Sequence, residues 1–215
     1  MNSMKAEIKE CLCVNLDSEL DTWLSQFGFA RRENTLLYSR TLPEAIQYIE
    51  IALEIHPKDR PDAAAIVFPF LEVRMDHVNR LLTKMTDGDT ALIGAPNITL
   101  RQPIAFTSGD SGLGARWPIF QPDSVSEVVR EMKSFLQRWT LPFLDTYSAP
   151  RGICDAYERD DARVINDLSQ KLRVVAAMVL CGRSDDAVGV MEKWFGKPGP
   201  RKRYQRVFDY LSAKN

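Results

Sequence analysis

The spacing of apolar and polar positions changes several times along the chain, and each change predicts an element. Leu16, Leu20, Leu24 and Phe27 recur at helical spacing, and Gly28 stands where a C′ glycine would end that helix. A short hairpin is expected next, with strands over 29–32 and 35–40 joined by Glu33-Asn34. From 46 to 56 the period becomes two. Ile49, Ile51, Leu53 and Ile55 are apolar, whereas Tyr48, Glu50, Glu54 and His56 are polar or amphipathic. That alternation predicts a half-buried strand of an antiparallel sheet. Beyond the turn Pro57-Lys58-Asp59-Arg60-Pro61, a second strand over 64–76 sets Val67, Leu71, Val73 and Met75 on one face. Its Pro69 cannot donate to a ladder and predicts an edge position or a bulge.

A short helix is expected over 78–85, closed by Thr86-Asp87-Gly88-Asp89, and Ile98, Leu100, Ile104 and Phe106 predict another strand. Extended chain resumes at Arg116-Trp117-Pro118-Ile119-Phe120. Ser124 and Glu127 read as an S-x-x-E capping box. The amphipathic helix behind it carries Val125, Val128, Val129, Met132, Phe135, Leu136 and Trp139 on its apolar face, and Pro142 then permits a break or a fresh start. The rest reads as helical only. A nearly all-apolar stretch over 164–181 ends at Gly182, and Ser184 caps a helix through Ala187, Met191 and Trp194. Lys197-Pro198-Gly199-Pro200 reads as a connector, and a last helix turns Tyr204, Val207, Phe208 and Leu211 inward. The expected architecture is α+β, with an antiparallel sheet of about five strands backed by amphipathic helices, as a domain over 1–158. A C-terminal helical hairpin bundle over 159–215 is expected to pack on it.

With 215 residues, 45% hydrophobic and 27% charged, the chain can bury a core of ordinary size. Lys+Arg 28 balance Asp+Glu 29, so there is no overall attraction to nucleic acid or to an anionic membrane. The first residues lack the apolar run of a secretory signal, and no stretch reaches the roughly 18 apolar residues of a membrane helix. A cytoplasmic location is therefore expected. Cys11, Cys13, Cys154 and Cys181 are scattered and read as reduced thiols. The Cys11-x-Cys13 pair lacks the further ligands of a zinc site, so neither a metal nor a cofactor is expected.

Gly109-Asp110-Ser111-Gly112 reproduces the tetrapeptide around the nucleophile of trypsin-like proteases. A serine nucleophile needs a base within hydrogen-bond reach and donors for the oxyanion. Only His56 and His77 could supply imidazole, and the order His56, Asp76, Ser111 can be drawn. Both histidines, however, fall among predicted sheet and helix. The motif continues Leu113-Gly114-Ala115, and the G-x-S-x-G elbow spacing is absent. Ser111 thus reads as a loop residue. The alternative is a hydrolase or small-ligand enzyme using 107–114 with His77 and Asp76. Gly109, Gly112 and Gly114 offer an anion nest at most, since no Walker lysine follows and the next predicted helix starts only near Ser124. Lys197, Arg201, Lys202, Arg203 and Arg206 form the densest cationic stretch, a candidate dock for an acidic partner or a nucleic acid backbone.

One further pattern is familiar. A helix ending in FGFARRENTLLYSR, two long strands, and RWPIFQPDSVSEVVREMKSFLQRWTLPFLDTYSAPRGI together resemble an uncharacterised bacterial family, domain of unknown function 4304. Gly28-Phe29, Trp117 and Leu141-Pro142-Phe143-Leu144 carry the likeness, which covers roughly 16–157. The resemblance implies no established activity, catalytic residue or cofactor. Small bacterial α+β proteins of this kind can serve as immunity proteins that bind and block a toxin. The residues and the resemblance together give a non-catalytic, cytoplasmic, bacterial protein-binding module, with immunity to a toxin as its specific form. Its expected contact surface is the polar sheet face bearing Tyr48, Glu50, Glu54, Glu72 and Arg74.

Overall fold

The computed structural model describes residues 2–109 and 115–213. Helix α1 (Asn2–Asn15) passes through a π turn, Leu16–Asp21, into α2 (Thr22–Ser25). Strands β1 (Ala30–Arg31), β2 (Leu37–Thr41), β3 (Ile46–Ile55) and β4 (Ala65–Arg74) follow, then α3 (Asp76–Met85), α4 (Thr90–Ile93) and β5 (Leu100–Pro103). A 3-10 turn, Ile104–Ser108, precedes β6 (Trp117–Ile119), and another, Pro122–Ser124, leads into α5 (Val125–Phe135). A second π turn, Leu136–Thr140, joins α5 to α6 (Leu141–Thr146). The remainder is α7 (Pro150–Glu158), α8 (Leu168–Leu180), α9 (Ser184–Phe195), α10 (Pro198–Arg203) and α11 (Gln205–Ser212). The expected α+β class, with an antiparallel sheet and C-terminal helices, is what the chain forms.

The chain groups into two compact units. One comprises 1–41, 47–72 and 101–144; the other comprises 42–46, 73–100 and 145–215. The segment with α3 and α4 groups with the C-terminal helices.

The first unit holds most of the sheet, in the order β1-β2-β3-β4-β5 with β6 also paired to β4. In the hairpin, Ala30 faces Ser39 and Arg31 faces Tyr38, while Asn34 takes the positive φ of 57° that the turn requires. Ile49, Ile51, Val67 and Leu71 point inward and are buried. So is Gln47, whose amide donates to Leu144 O (3.0 Å) and accepts from Arg40 Nε (2.7 Å). Pro69 is not on an edge strand, because β4 has neighbours on both sides. Along one side of β4, β6 pairs only with Ala65, Ile66 and Val67, and the Thr99 N–H meets Val73 O further along. Pro69 lies beyond the end of the β6 pairing, so its missing N–H takes nothing from that ladder.

The helices of this unit are built on a four-residue repeat. Ile8, Leu12, Leu16, Leu20 and Leu24 are all buried, and so are Val128, Met132, Leu136, Thr140 and Leu144. Four residues of α-helix turn about 40° beyond a full circle, so four such steps would carry the row about 160° around the helix. A π turn takes in one extra residue and rotates the following chain back by about 100°. Each row contains one, which returns its later members to the buried side. In the second row the Leu141 N–H reaches back five residues to Leu136 O. Pro142 therefore neither breaks nor restarts the helix, because the widened turn just before it relieves the clash with the preceding turn.

Two expectations fail locally. Ser124 makes no cap: it ends the Pro122–Ser124 3-10 turn in helical φ/ψ, and its hydroxyl donates back to Gln121 O (2.8 Å). A capping side chain needs an extended backbone to reach forward. The strand expected through Phe106 stops at Pro103, and Phe106 is exposed, because 104–108 winds into the 3-10 turn.

In the second unit α8 is the buried centre, flanked by α3, α7 and α9, with α11 against α9 and α3. It begins later than expected, at Asp167, whose carboxylate accepts from the Gln170 N–H (2.8 Å). It ends as expected at Gly182, with φ 73°. Ser184 is the first residue of α9 rather than its cap, and the expected connector at 198–200 forms the first turn of α10. Between α7 and α8, Asp161 accepts hydrogen bonds from Tyr147 Oη and from Arg163 Nε (2.9 Å) and Nη2 (2.7 Å). Those Arg163 bonds, followed by the Tyr147 bond, outweigh burial and hold the carboxyl down at about 2. A depressed carboxyl stabilises the fold above its unfolded value of about 4 and stops doing so as pH falls through the folded value. Wild type is therefore expected to melt above Asp161→Asn at pH 6. The gap should close between pH about 4 and about 2 in a series of thermal melts.

Candidate functional site

Strand alternation aims Tyr48, Glu50, Ala52 and Glu54 of β3 and Phe68, Phe70 and Glu72 of β4 away from the core. All are half-exposed except Glu72, whose side chain is 8% exposed. On this face two arginines each sit between two carboxylates. Arg101 of β5 reaches Glu50 with Nη2 (2.8 Å) and Glu72 with Nη1 (3.2 Å). Arg116 reaches Asp59 with Nη1 (2.7 Å) and Glu54 with Nη2 (3.7 Å). The guanidinium of Arg101 lies 5.7 Å from the Phe70 ring centre, and that of Arg116 lies 5.7 Å from the Phe68 ring. The two rings meet edge to face at 5.8 Å.

This lattice joins three kinds of weak contact. Exposed ion pairs contribute about 0–1 kcal/mol each, and exposed cation–π contacts about 0.5–1 kcal/mol. Their combined effect is to hold two arginines beside two phenylalanine rings. Two half-exposed rings with fixed charges beside them then face solvent at little cost in side-chain entropy on binding. Each arginine is outnumbered by its carboxylates, so each cluster carries a net negative charge.

Among the expected contact residues, Glu50 and Glu54 are half-exposed members of the lattice, and Tyr48 lies on the same strand face. Glu72 belongs to the face but is buried beneath Arg101, so it anchors that arginine rather than meeting a partner. Arg74, half-buried at the end of β4, falls in the second unit. Sequence reasoning passed over Phe68, Phe70, Arg101 and Arg116. The first two alternate with the buried Val67 and Leu71, and Arg101 alternates with the buried Leu100, so parity alone could have placed them outward.

Comparison with protein-family models, with curated proteins and with solved structures finds no match to this chain.

The other candidates are placed as follows. Ser111, with Asp110, Gly112 and Gly114, lies outside the described residues. Thr107 and Ser108 turn their hydroxyls back onto Ile104 O (2.7 Å) and Ala105 O (3.0 Å). Asp76 and His77 form the first turn of α3 rather than the end of a strand. Asp76 is exposed, and the buried Nε2 of His77 has no partner among the described residues. His56 closes the β3–β4 turn with φ 52° and its N–H on Ala64 O (3.0 Å).

The cationic stretch is largely engaged. Arg201 forks onto Glu192 (2.7 and 2.9 Å), Arg206 pairs with Asp87 (2.7 Å), and Arg203 donates to Ala91 O (3.2 Å). Lys197 and Lys202 are exposed. Among the described residues no group of three or more His, Cys, Asp or Glu could hold a metal ion, and no helix is long and apolar enough to cross a membrane.

Proposed function

We propose that this chain is a non-catalytic binding module of a bacterial cytoplasm. Its outer sheet face docks a partner protein, and immunity to a toxin is the specific form of that role. The observation that carries the reading is the lattice of Arg101, Arg116, Phe68 and Phe70 held among Glu50, Glu54, Asp59 and Glu72. Aromatic and arginine side chains are the commonest anchors of protein interfaces. The carboxylate surplus favours a cationic partner surface, approached faster at low salt. The basic stretch supports a nucleic acid role less well, because Arg201 and Arg206 are already paired with carboxylates.

The test is affinity capture from the native host with three forms of the tagged chain: wild type, Glu50→Lys with Glu54→Lys, and Lys197→Ala with Lys202→Ala. A stoichiometric protein partner is expected with the first and third forms. The face variant should bind it about 100-fold more weakly, the magnitude of like-charge juxtaposition in an interface. Far-ultraviolet circular dichroism should be unchanged, since only exposed ion pairs are lost. Full retention of the partner by the face variant would rule out this surface. A small molecule or nucleic acid in place of a protein would rule out the function.

A further inference from the structure

The second unit contains a thiol pair that the binding reading does not use. Cys154 lies on α7 and is 1% exposed, while Cys181 is the exposed residue that terminates α8. Both line one pocket of about 280 Å³ with Arg151, Asp155, Glu158 and Arg183. We propose that Cys154 and Cys181 are a reversible disulfide site, oxidised by low-molecular-weight disulfides such as glutathione disulfide, that clasps α7 to the end of α8.

Three features support this. The two thiols line the same pocket on packed helices α7 and α8, so the bond would join side chains of neighbouring elements. The backbone around Cys181 is pinned by the helix-ending hydrogen bonds Cys181 N–H to Ala177 O (3.0 Å), Gly182 N–H to Val179 O (3.1 Å) and Arg183 N–H to Met178 O (2.9 Å). Finally, the two sulfurs differ in access, which assigns their order. Exposed Cys181 meets the oxidant, and buried Cys154 can act only from within.

The steps balance without another reactant. The Cys181 thiolate attacks one sulfur of glutathione disulfide, forms a mixed disulfide and releases one glutathione thiolate. The Cys154 thiol gives its proton to solvent, attacks Cys181 Sγ, and expels the second glutathione. Two protein thiols are oxidised, and one glutathione disulfide is reduced to two glutathiones. Burial is the largest influence raising the Cys154 thiol, to about 12, followed by the charge and hydrogen bond of Cys181; Arg183 works the other way.

The experiment uses the full chain with Cys11→Ser and Cys13→Ser, in glutathione buffers of stepped ratio. It is quenched by alkylation and mapped by mass spectrometry without reduction. A peptide linking Cys154 to Cys181 is expected, with both thiols lost together and recovered on adding dithiothreitol. With Cys154→Ser added, Cys181 should instead keep its glutathione at least about tenfold longer, the resolving thiol being absent. Should that variant fail to fold, the peptide map of the otherwise unchanged chain decides alone. Glutathione persisting on Cys181 without the linked peptide overturns the proposal, and so does a Cys181 that stays free in the most oxidised buffer.

Discussion

Replacing Arg173 with methionine is expected to lower the thermal midpoint by roughly 6–12 °C, corresponding to about 3 kcal/mol in a chain of this size. Arg173 is 4% exposed within α8, and burial lowers its pKa below the ordinary arginine value. The guanidinium stays in place because its fork is filled. Nε donates to Ile98 O (3.0 Å), Nη2 to Ile93 O (3.0 Å) and Ala95 O (3.1 Å), and Nη1 to Ser169 Oγ (3.1 Å). Ile93 ends α4 and residues 94–98 lie outside the ladders and helices, and this one side chain satisfies three carbonyls of that stretch. Methionine matches the length and removes the buried charge, which alone would be favourable. It also strands the carbonyls, at about 1–3 kcal/mol for each that water does not reach. Arg173→Lys should fall between the two, since a single ammonium cannot span three acceptors in the arginine plane. Thermal and urea denaturation of the three proteins measures this directly. Equal stability of wild type and Arg173→Met would mean that the segment finds water in place of arginine.

The second expected result is a reversal of sign between two glycines in helices. Gly189 of α9 is exposed, and an added Cβ would meet nothing within 4 Å. Gly189→Ala should therefore stabilise the protein by about 0.5–1 kcal/mol, the ordinary helix-propensity difference. Gly152 of α7 is buried, and a Cβ there would stand 2.1 Å from Thr146 O, 3.2 Å from Thr146 C and 3.3 Å from Tyr147 Cα. These are backbone atoms and cannot swing aside, so α7 would have to leave its place against the preceding turn. Overpacking of this kind costs about 1–3 kcal/mol or more, and it must also cancel the propensity gain. Gly152→Ala is expected to destabilise by at least about 2 kcal/mol. Comparing the two alanine variants by urea titration separates close packing from propensity, because the chemical change is the same.

The elements most legible in the sequence were those whose pattern is local. The parity of Ile49, Ile51, Val67 and Leu71 placed both long strands and both faces of the sheet. Gly28 and Gly182 marked helix ends through their positive φ. What stayed hidden depends on distant partners. Arg173 lies in a stretch read as apolar all round, and nothing nearby in sequence shows that carbonyls at 93–98 would receive it. The capping motif at Ser124 has the right letters, but Pro122 begins a 3-10 turn that fixes the wrong backbone angles for a cap. For the candidate site, Glu50 and Glu54 were visible as polar alternates. Arg101 and Arg116 come from separate later segments, and only strand pairing brings them to the face.

The two π turns bear on how this chain tolerates insertion and deletion. A helix with uniform pitch spreads the loss of one residue over everything that follows. Here the spare residue is stored at known places, 16–21 and 136–140. Removing it would restore ordinary pitch and swing the chain beyond it by about 100°, taking Leu24 or Leu144 out of the core with no change in composition. In these two helices chain length is itself coded information, as specific as the leucines it aligns.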